Sequence, residues 1–328
     1  MDNINNISIK NLENFKNEIK KMLQVVQDGF EEKLNNGEFK KLKSEMTISP
    51  FKGKKYYNKD KKNELFNILR RNGNEYIENY RIDLIVHCLL HNLEEIFSDK
   101  YPTCVREQFM VHVQRIYNRC VDHKGWGESN SDVFWKDLAI ARQEMFPAGS
   151  AQVVEMFSGF GLRQGLGKNL KQSVEFLMLV VQLGGRRGYY QVHTHTPEFG
   201  GFSEEGWNDC YVRIANMMKK NPYIKGICNE SWFYDPQLAG ISPRLMYLQT
   251  IPLQNGAKRF YLGLRDPSDA IAKSKTRENL YKEGRYTPKS FMIIWPRKEF
   301  LQWAEDQSAL RSSSLIYPKQ SSEASCKT

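Results

Sequence analysis

Two histidines and a carboxylate close one short segment of this 328-residue chain, His193-Thr194-His195-Thr196-Pro197-Glu198. Imidazole changes charge near neutrality, so His193 or His195 is a candidate general base, with Glu198 as its orienter. The segment ends a strand-like run, and strand alternation puts both rings on one face, with Glu198 just beyond in a loop. Two histidines and one carboxylate are also the minimum for a facial metal triad of the non-haem iron oxygenase kind. The plainer reading is a pair of satisfied histidines at a strand end. A second pair, His87 and His91 with Glu94 one turn on, has metal-ligand spacing on a helix. It falls opposite that helix's apolar stripe and reads as a solvated face.

Glycines are concentrated between Gly159 and Lys168, in Gly159-Phe-Gly161-Leu-Arg163-Gln-Gly165-Leu-Gly167-Lys168. The run lies between an expected strand and an expected helix, where backbone amides and the helix dipole can hold a phosphate. Arg163 and Lys168 add positive charge. Neither the nucleotide P-loop nor the dinucleotide fingerprint fits the spacing. A tight strand-to-helix turn is the structural alternative. The stretch from Val153 to Gly167 also resembles the first motif of cytosine-5 DNA methyltransferases. That family's Pro-Cys nucleophile has no counterpart here, since no cysteine follows a proline.

The most aromatic segment is Asn229-Glu230-Ser231-Trp232-Phe233-Tyr234-Asp235-Pro236, followed by Ser242-Pro243-Arg244-Leu245. Strand carboxyl ends face the ligand crevice in α/β sheets, so Trp232, Tyr234 and Arg244 are expected to touch substrate. The alternative is an aromatic core contribution plus a helix cap, with Pro243 at the first helical position. In these two segments the chain is similar to bacterial proteins whose likeness supplies no activity.

Arg163-Gln164-Gly165-Leu166-Gly167 followed by a helix resembles the acyl-CoA pyrophosphate loop of the GNAT acyltransferase superfamily. Leu280-Tyr281-Lys-Glu-Gly284-Arg-Tyr286 is similar to the tyrosine-bearing helix end near that family's C-terminus. The resemblance implies acyl transfer from CoA or an acyl-carrier protein, itself acidic, to a small amine. It implies that Arg163, Gly165, Gly167 and Lys168 hold the cofactor, joined by Arg277 from the basic C-terminal zone. It also implies that Tyr281 protonates the departing thiolate, and His193 or His195 would then take the amine proton. The metal-dependent oxygenase using His193, His195 and Glu198 is the alternative enzyme. An RNA- or partner-binding protein is the non-enzymatic alternative. An acyl thioester is the expected co-substrate, and the site expectation includes no metal.

What positions these residues follows from composition and periodicity. The chain has 48 Lys+Arg against 38 Asp+Glu, net +10, with 40% hydrophobic residues, an ordinary globular balance. Its longest apolar run, Phe176 to Val181, is far short of the roughly 18 residues needed to span a bilayer. The N-terminus lacks an apolar signal core, and the six cysteines form no C-x-x-C pair, so reduced thiols and a cytoplasmic location are expected. Ten lysines between Lys33 and Lys62 read as a solvated connector. With only Phe39, Phe51, Tyr56 and Tyr57 among them, nucleic acid is not the expected partner.

Leu12, Phe15, Ile19, Leu23, Val26 and Phe30 make one helical stripe, and Ile82, Ile85, Leu89, Leu93 and Ile96 make another. Two more helices are expected in Val105–Cys120 and Ser131–Phe146. After Pro147 strands alternate with helices, the pattern of a mixed α/β fold around one central sheet. The expected division is an amphipathic helix over 1–32, a Lys-rich linker over 33–62 and a helical region over 63–147. An α/β domain follows over 148–306, then a flexible Ser-rich tail over 307–328.

Overall fold

The computed structural model describes residues 9–31, 37, 40–41, 43–44, 67, 77–122, 126, 132–149, 151–195, 202–272 and 274–316. Helix α1 (Ile9–Glu31) buries Leu12, Ile19 and Leu23, the stripe its spacing predicts, against α2 (Ile77–Ile96). On α2 the residues Ile82, Ile85, Leu89, Leu93 and Ile96 are buried in the same core. Helices α3 (Thr103–Val121) and α4 (Asp132–Ala141) complete the N-terminal layer.

The expected helix through Phe146 is corrected here. It stops at Ala141, and Gln143 takes φ +58, a left-handed conformation that ends an α-helix. The buried Gln143 amide compensates through its bonds: Nε2 donates to Asn92 Oδ1 and Glu95 Oε2, and Oε1 accepts from Lys100 and Tyr101. The chain then enters strand β1 (Met145–Pro147), so the sheet starts before residue 148.

Six strands form one mixed sheet in the order β1-β2-β3-β4-β6-β5. The others are β2 (Gln152–Gly159), β3 (Arg187–Thr194), β4 (Gly226–Ser231), β5 (Lys258–Leu264) and β6 (Lys289–Pro296). Every neighbouring pair is antiparallel except β3 and β4. A parallel pair needs a crossover, supplied by α7 (Glu204–Lys220). Between β2 and β3 come α5 (Leu162–Gly165) and α6 (Leu170–Gln182). After β4 follow a 3-10 turn (Trp232–Tyr234), α8 (Leu238–Ile241), a second such turn (Pro243–Leu245) and α9 (Tyr247–Gln254). Helices α10 (Ser268–Ile271) and α11 (Lys275–Lys282) join β5 to β6.

The sheet's two faces bury different residues, as the period of two requires. Tyr189, Cys228, Met292, Ile294 and Phe260 meet Phe176 and Leu179 of α6. Tyr190, Ile227, Ile293 and Trp295 belong to the main core with α7 and α12 (Arg297–Ile316). The apolar run Phe176–Val181 therefore lies on an amphipathic surface helix, with Leu177, Met178 and Val181 exposed. Among the described residues no helix is long and apolar enough to cross a membrane.

Helix α12 continues well past Asp306, so the expected start of a flexible tail at residue 307 is corrected. Phe300, Trp303 and Ala304 anchor it in the core, and Ser308 Oγ donates back to the Ala304 carbonyl, which lets serine sit inside the helix. Residues 317–328 lie outside the described residues.

Candidate functional site

The parallel pair is where the sheet's hydrogen-bonding ladder gives way. Strands β3 and β4 register at Tyr190↔Ile227. Two residues further on, the Val192 amide donates at 2.7 Å to the Asn229 side chain, Oδ1, in place of a backbone carbonyl. Asn229 is itself buried and also bonds the hydroxyl of buried Tyr234. A buried side chain thus takes the place of a backbone partner near the carboxyl ends of the two parallel strands, the end at which α/β sheets bind ligands.

His193 stands on β3 three residues past the registered pair. Its Nε2 is 3.4 Å from Glu155 Oε2 on β2, with the His193 side chain 21% exposed and that of Glu155 7%. Burial lifts the nearby Glu144 carboxyl above its usual range against the pull of Arg142, and the Glu155 charge adds to the rise. Glu230 of β4, three residues past the registered pair as His193 is on β3, is exposed. It accepts from Gln164 Nε2 at 3.1 Å and from Ser290 Oγ at 3.3 Å. A partly open imidazole held by one carboxylate, with a second beside it, can bind a cationic group and take its proton.

The two imidazoles have different surroundings. His195 is buried one residue past the strand, where its amide bonds the Ala151 carbonyl and alternation no longer governs its direction. Its Nε2 donates to Asp137 Oδ1 at 2.8 Å. Arg115 also pairs with Asp137, and Trp126 Nε1 donates to it at 2.9 Å. Burial opposes ionisation of Asp137, but Arg115, His195 and Trp126 together bring its pKa down to about 2. Burial lowers the His195 pKa despite Asp137. It lowers the His112 pKa further still; that ring lies 5.7 Å from the His195 ring and bonds the Gly149 carbonyl. His195 ties β3 to α3 and α4.

The glycine segment uses its own amides. Gly161 N donates to Gln164 Oε1, Gln164 N to the Gly161 carbonyl, Leu166 N to the Leu162 carbonyl, and Gly167 N to Ser173 Oγ. Asn169 caps α6 by accepting from Gln172 N. A Cβ on Gly165 would meet the Phe176 ring at 2.4 Å, so this glycine lets α5 pack on α6. Gly167, at φ +80, has open space around it. Arg163 and Lys168 are exposed. What the segment brings to β4 is Gln164.

Trp232 and Tyr234 are buried just past β4, while Arg244 is exposed. Arg277 is buried over the Trp232 ring. Tyr281 is exposed near the end of α11, with no hydrogen bond to the strand residues among those described. Glu198 and most of the Lys33–Lys62 segment lie outside the described residues; Lys43 within it pairs with Asp83. Glu94 is engaged by Lys16 and Lys20 of α1. No group of three His, Cys, Asp or Glu suited to a metal occurs among the described residues.

Sequence reasoning missed Glu155, Asn229 and Glu230. Glu155 carried a signal, a lone carboxylate inside the apolar strand Gln152–Gly159. Asn229 and Glu230 stood beside the noted aromatics but gained meaning only from the neighbouring strand. Compared with protein-family models, curated proteins and solved structures, the chain matches none.

Proposed function

We propose that this chain transfers an acyl group from a thioester carrier, CoA or an acyl-carrier protein, to a small amine. The observation that carries the reading is the partly exposed His193–Glu155 pair near the carboxyl end of β3, with Glu230 at the matching position on the neighbouring β4. A small amine is an ammonium ion at neutral pH, and the exposed Glu230 carboxylate attracts it. His193 removes a proton, and the freed nitrogen attacks the thioester carbonyl. The C–N bond forms, the C–S bond breaks with its electron pair going to sulfur, and the second proton that the nitrogen must lose passes to the departing thiolate, which leaves as the free thiol. A thiolate is a good leaving group near neutrality, so Tyr281 is left outside the reaction centre. Positioning the two reactants supplies most of the acceleration.

The likeness of Arg163–Gly167 and of Leu280–Tyr286 to GNAT segments supports the reaction class. In this reading the glycine segment contributes Gln164, which bonds Glu230. A cytoplasmic setting goes with this reading, and Cys88, Cys104, Cys120, Cys210 and Cys228, none in a disulfide, agree with it.

The test is thiol release from short and long acyl-CoA and from loaded carrier protein, against a panel of small amines. Amine-dependent release is expected, and His193→Gln should lower kcat about a hundredfold with an unchanged melting temperature. Absence of release with every pair, or an unaffected His193→Gln enzyme, overturns the proposal.

A further inference from the structure

Arg277 is 5% exposed, yet no carboxylate meets it. Its Nε donates to the Ala270 carbonyl and its Nη1 to Ser242 Oγ at 3.0 Å, and its guanidinium lies 4.7 Å from the centre of the Trp232 ring. Nη2 has no protein acceptor among the described residues. Other buried arginines are paired, Arg81 with Glu78 and Arg115 with Asp137. A buried cation without a counter-charge is costly, and burial pulls Arg277 below its usual pKa.

Two further donors stand beside it. Tyr286 is 1% exposed, and its hydroxyl has no acceptor. Its charge and that of Arg277 act on one another. Arg244, exposed and in no hydrogen bond or ion pair among the described residues, is close enough for its charge to disfavour that of Arg277. The nearby acid is Asp235, whose charge acts on both Tyr286 and Arg259 and whose oxygens accept from the Gln237 and Lys289 amides.

We infer that the cluster of Arg277, Tyr286, Trp232 and Arg244 binds a phosphate group, free or as a monoester. Two uncompensated guanidinium charges match the −1.5 to −2 or so of a phosphate at neutral pH better than the single charge of a carboxylate. Donors arriving from an arginine fork, a phenol and a second arginine suit three tetrahedral oxygens. The Trp232 face lies against the fork, and the exposed Arg244 side chain can reach the anion from solvent. The cluster begins one residue beyond β4. The inference stands apart from acyl transfer.

Titration calorimetry of the full chain with inorganic phosphate, phenyl phosphate and acetate at low salt tests it. Phosphate is expected to bind at least about tenfold more tightly than acetate, and Tyr286→Phe and Arg244→Ala are each expected to weaken it about tenfold. Both variants should keep the wild-type melting temperature, since one alters an exposed side chain and the other removes an unbonded hydroxyl. Phenyl phosphate binding more tightly than inorganic phosphate assigns a monoester; equal or weaker binding assigns free phosphate. No phosphate binding, acetate binding as tightly, or wild-type affinity in both variants overturns the inference.

Discussion

Asn229 Oδ1 accepts the Val192 amide at 2.7 Å, so a side chain of β4 stands in for the backbone partner that β3 would otherwise have. Truncating Asn229 to alanine leaves a buried N–H without an acceptor and the Tyr234 hydroxyl without its partner. Asn229→Ala is expected to cost about 1–3 kcal/mol in chemical denaturation and to speed hydrogen exchange at Val192. Unchanged exchange there would mean that the strands do not depend on this bond.

Stability should fall on mild acidification. His112 and His195 have folded pKa values below the unfolded 6.5, so below about pH 6.5 the unfolded chain binds more protons than the folded one. Their contribution is complete above that pH and is lost as pH falls toward the folded values. The expected slope is up to about 1.4 kcal/mol per pH unit for each imidazole. Denaturation midpoints between pH 7.5 and 5 measure it, and His195→Gln should flatten the profile.

Asp137 acts in a lower window. Its folded pKa of about 2 lies below the ordinary aspartate value of 3.8, so its stabilisation is present above about pH 4 and disappears as pH falls toward 2. At neutral pH, Asp137→Asn leaves Arg115 without its carboxylate in a largely buried setting. The expected loss is about 3–5 kcal/mol, read as a lowered denaturation midpoint. A loss under about 1 kcal/mol would show that the network is dispensable.

Gly165→Val should act on folding. Any Cβ there overlaps the Phe176 ring, so α5 must move off α6 and Gln164 with it. The expected cost is about 1–3 kcal/mol. Wild-type stability with a selectively raised KM for acyl-CoA would return the segment to the role of cofactor loop.

Much of the fold was legible because its signals are local. The stripe of α1, the strand Lys258–Leu264 and the helix-strand alternation after Pro147 follow from periods of 3.6 and 2, set by backbone geometry within a few residues. The end of α4 was not legible. Gln143 has a strained backbone and is held by Asn92, Glu95, Lys100 and Tyr101, tens of residues away in the chain. Helix α12 likewise continues through serines because Trp303 and Ala304, just before them, are anchored in the core.

The site divides in the same way. Residue types alone identified His193 and His195 as candidates for proton chemistry, since imidazole titrates near neutrality wherever it lies in the chain. Which ring is exposed was decided by tertiary structure: Glu155 meets a partly exposed His193, while Asp137 and Arg115 enclose His195. The type and spacing of residues determine what a side chain is able to do. Burial, counter-charge and access decide whether it does it, and these come from segments that meet only once the chain has folded.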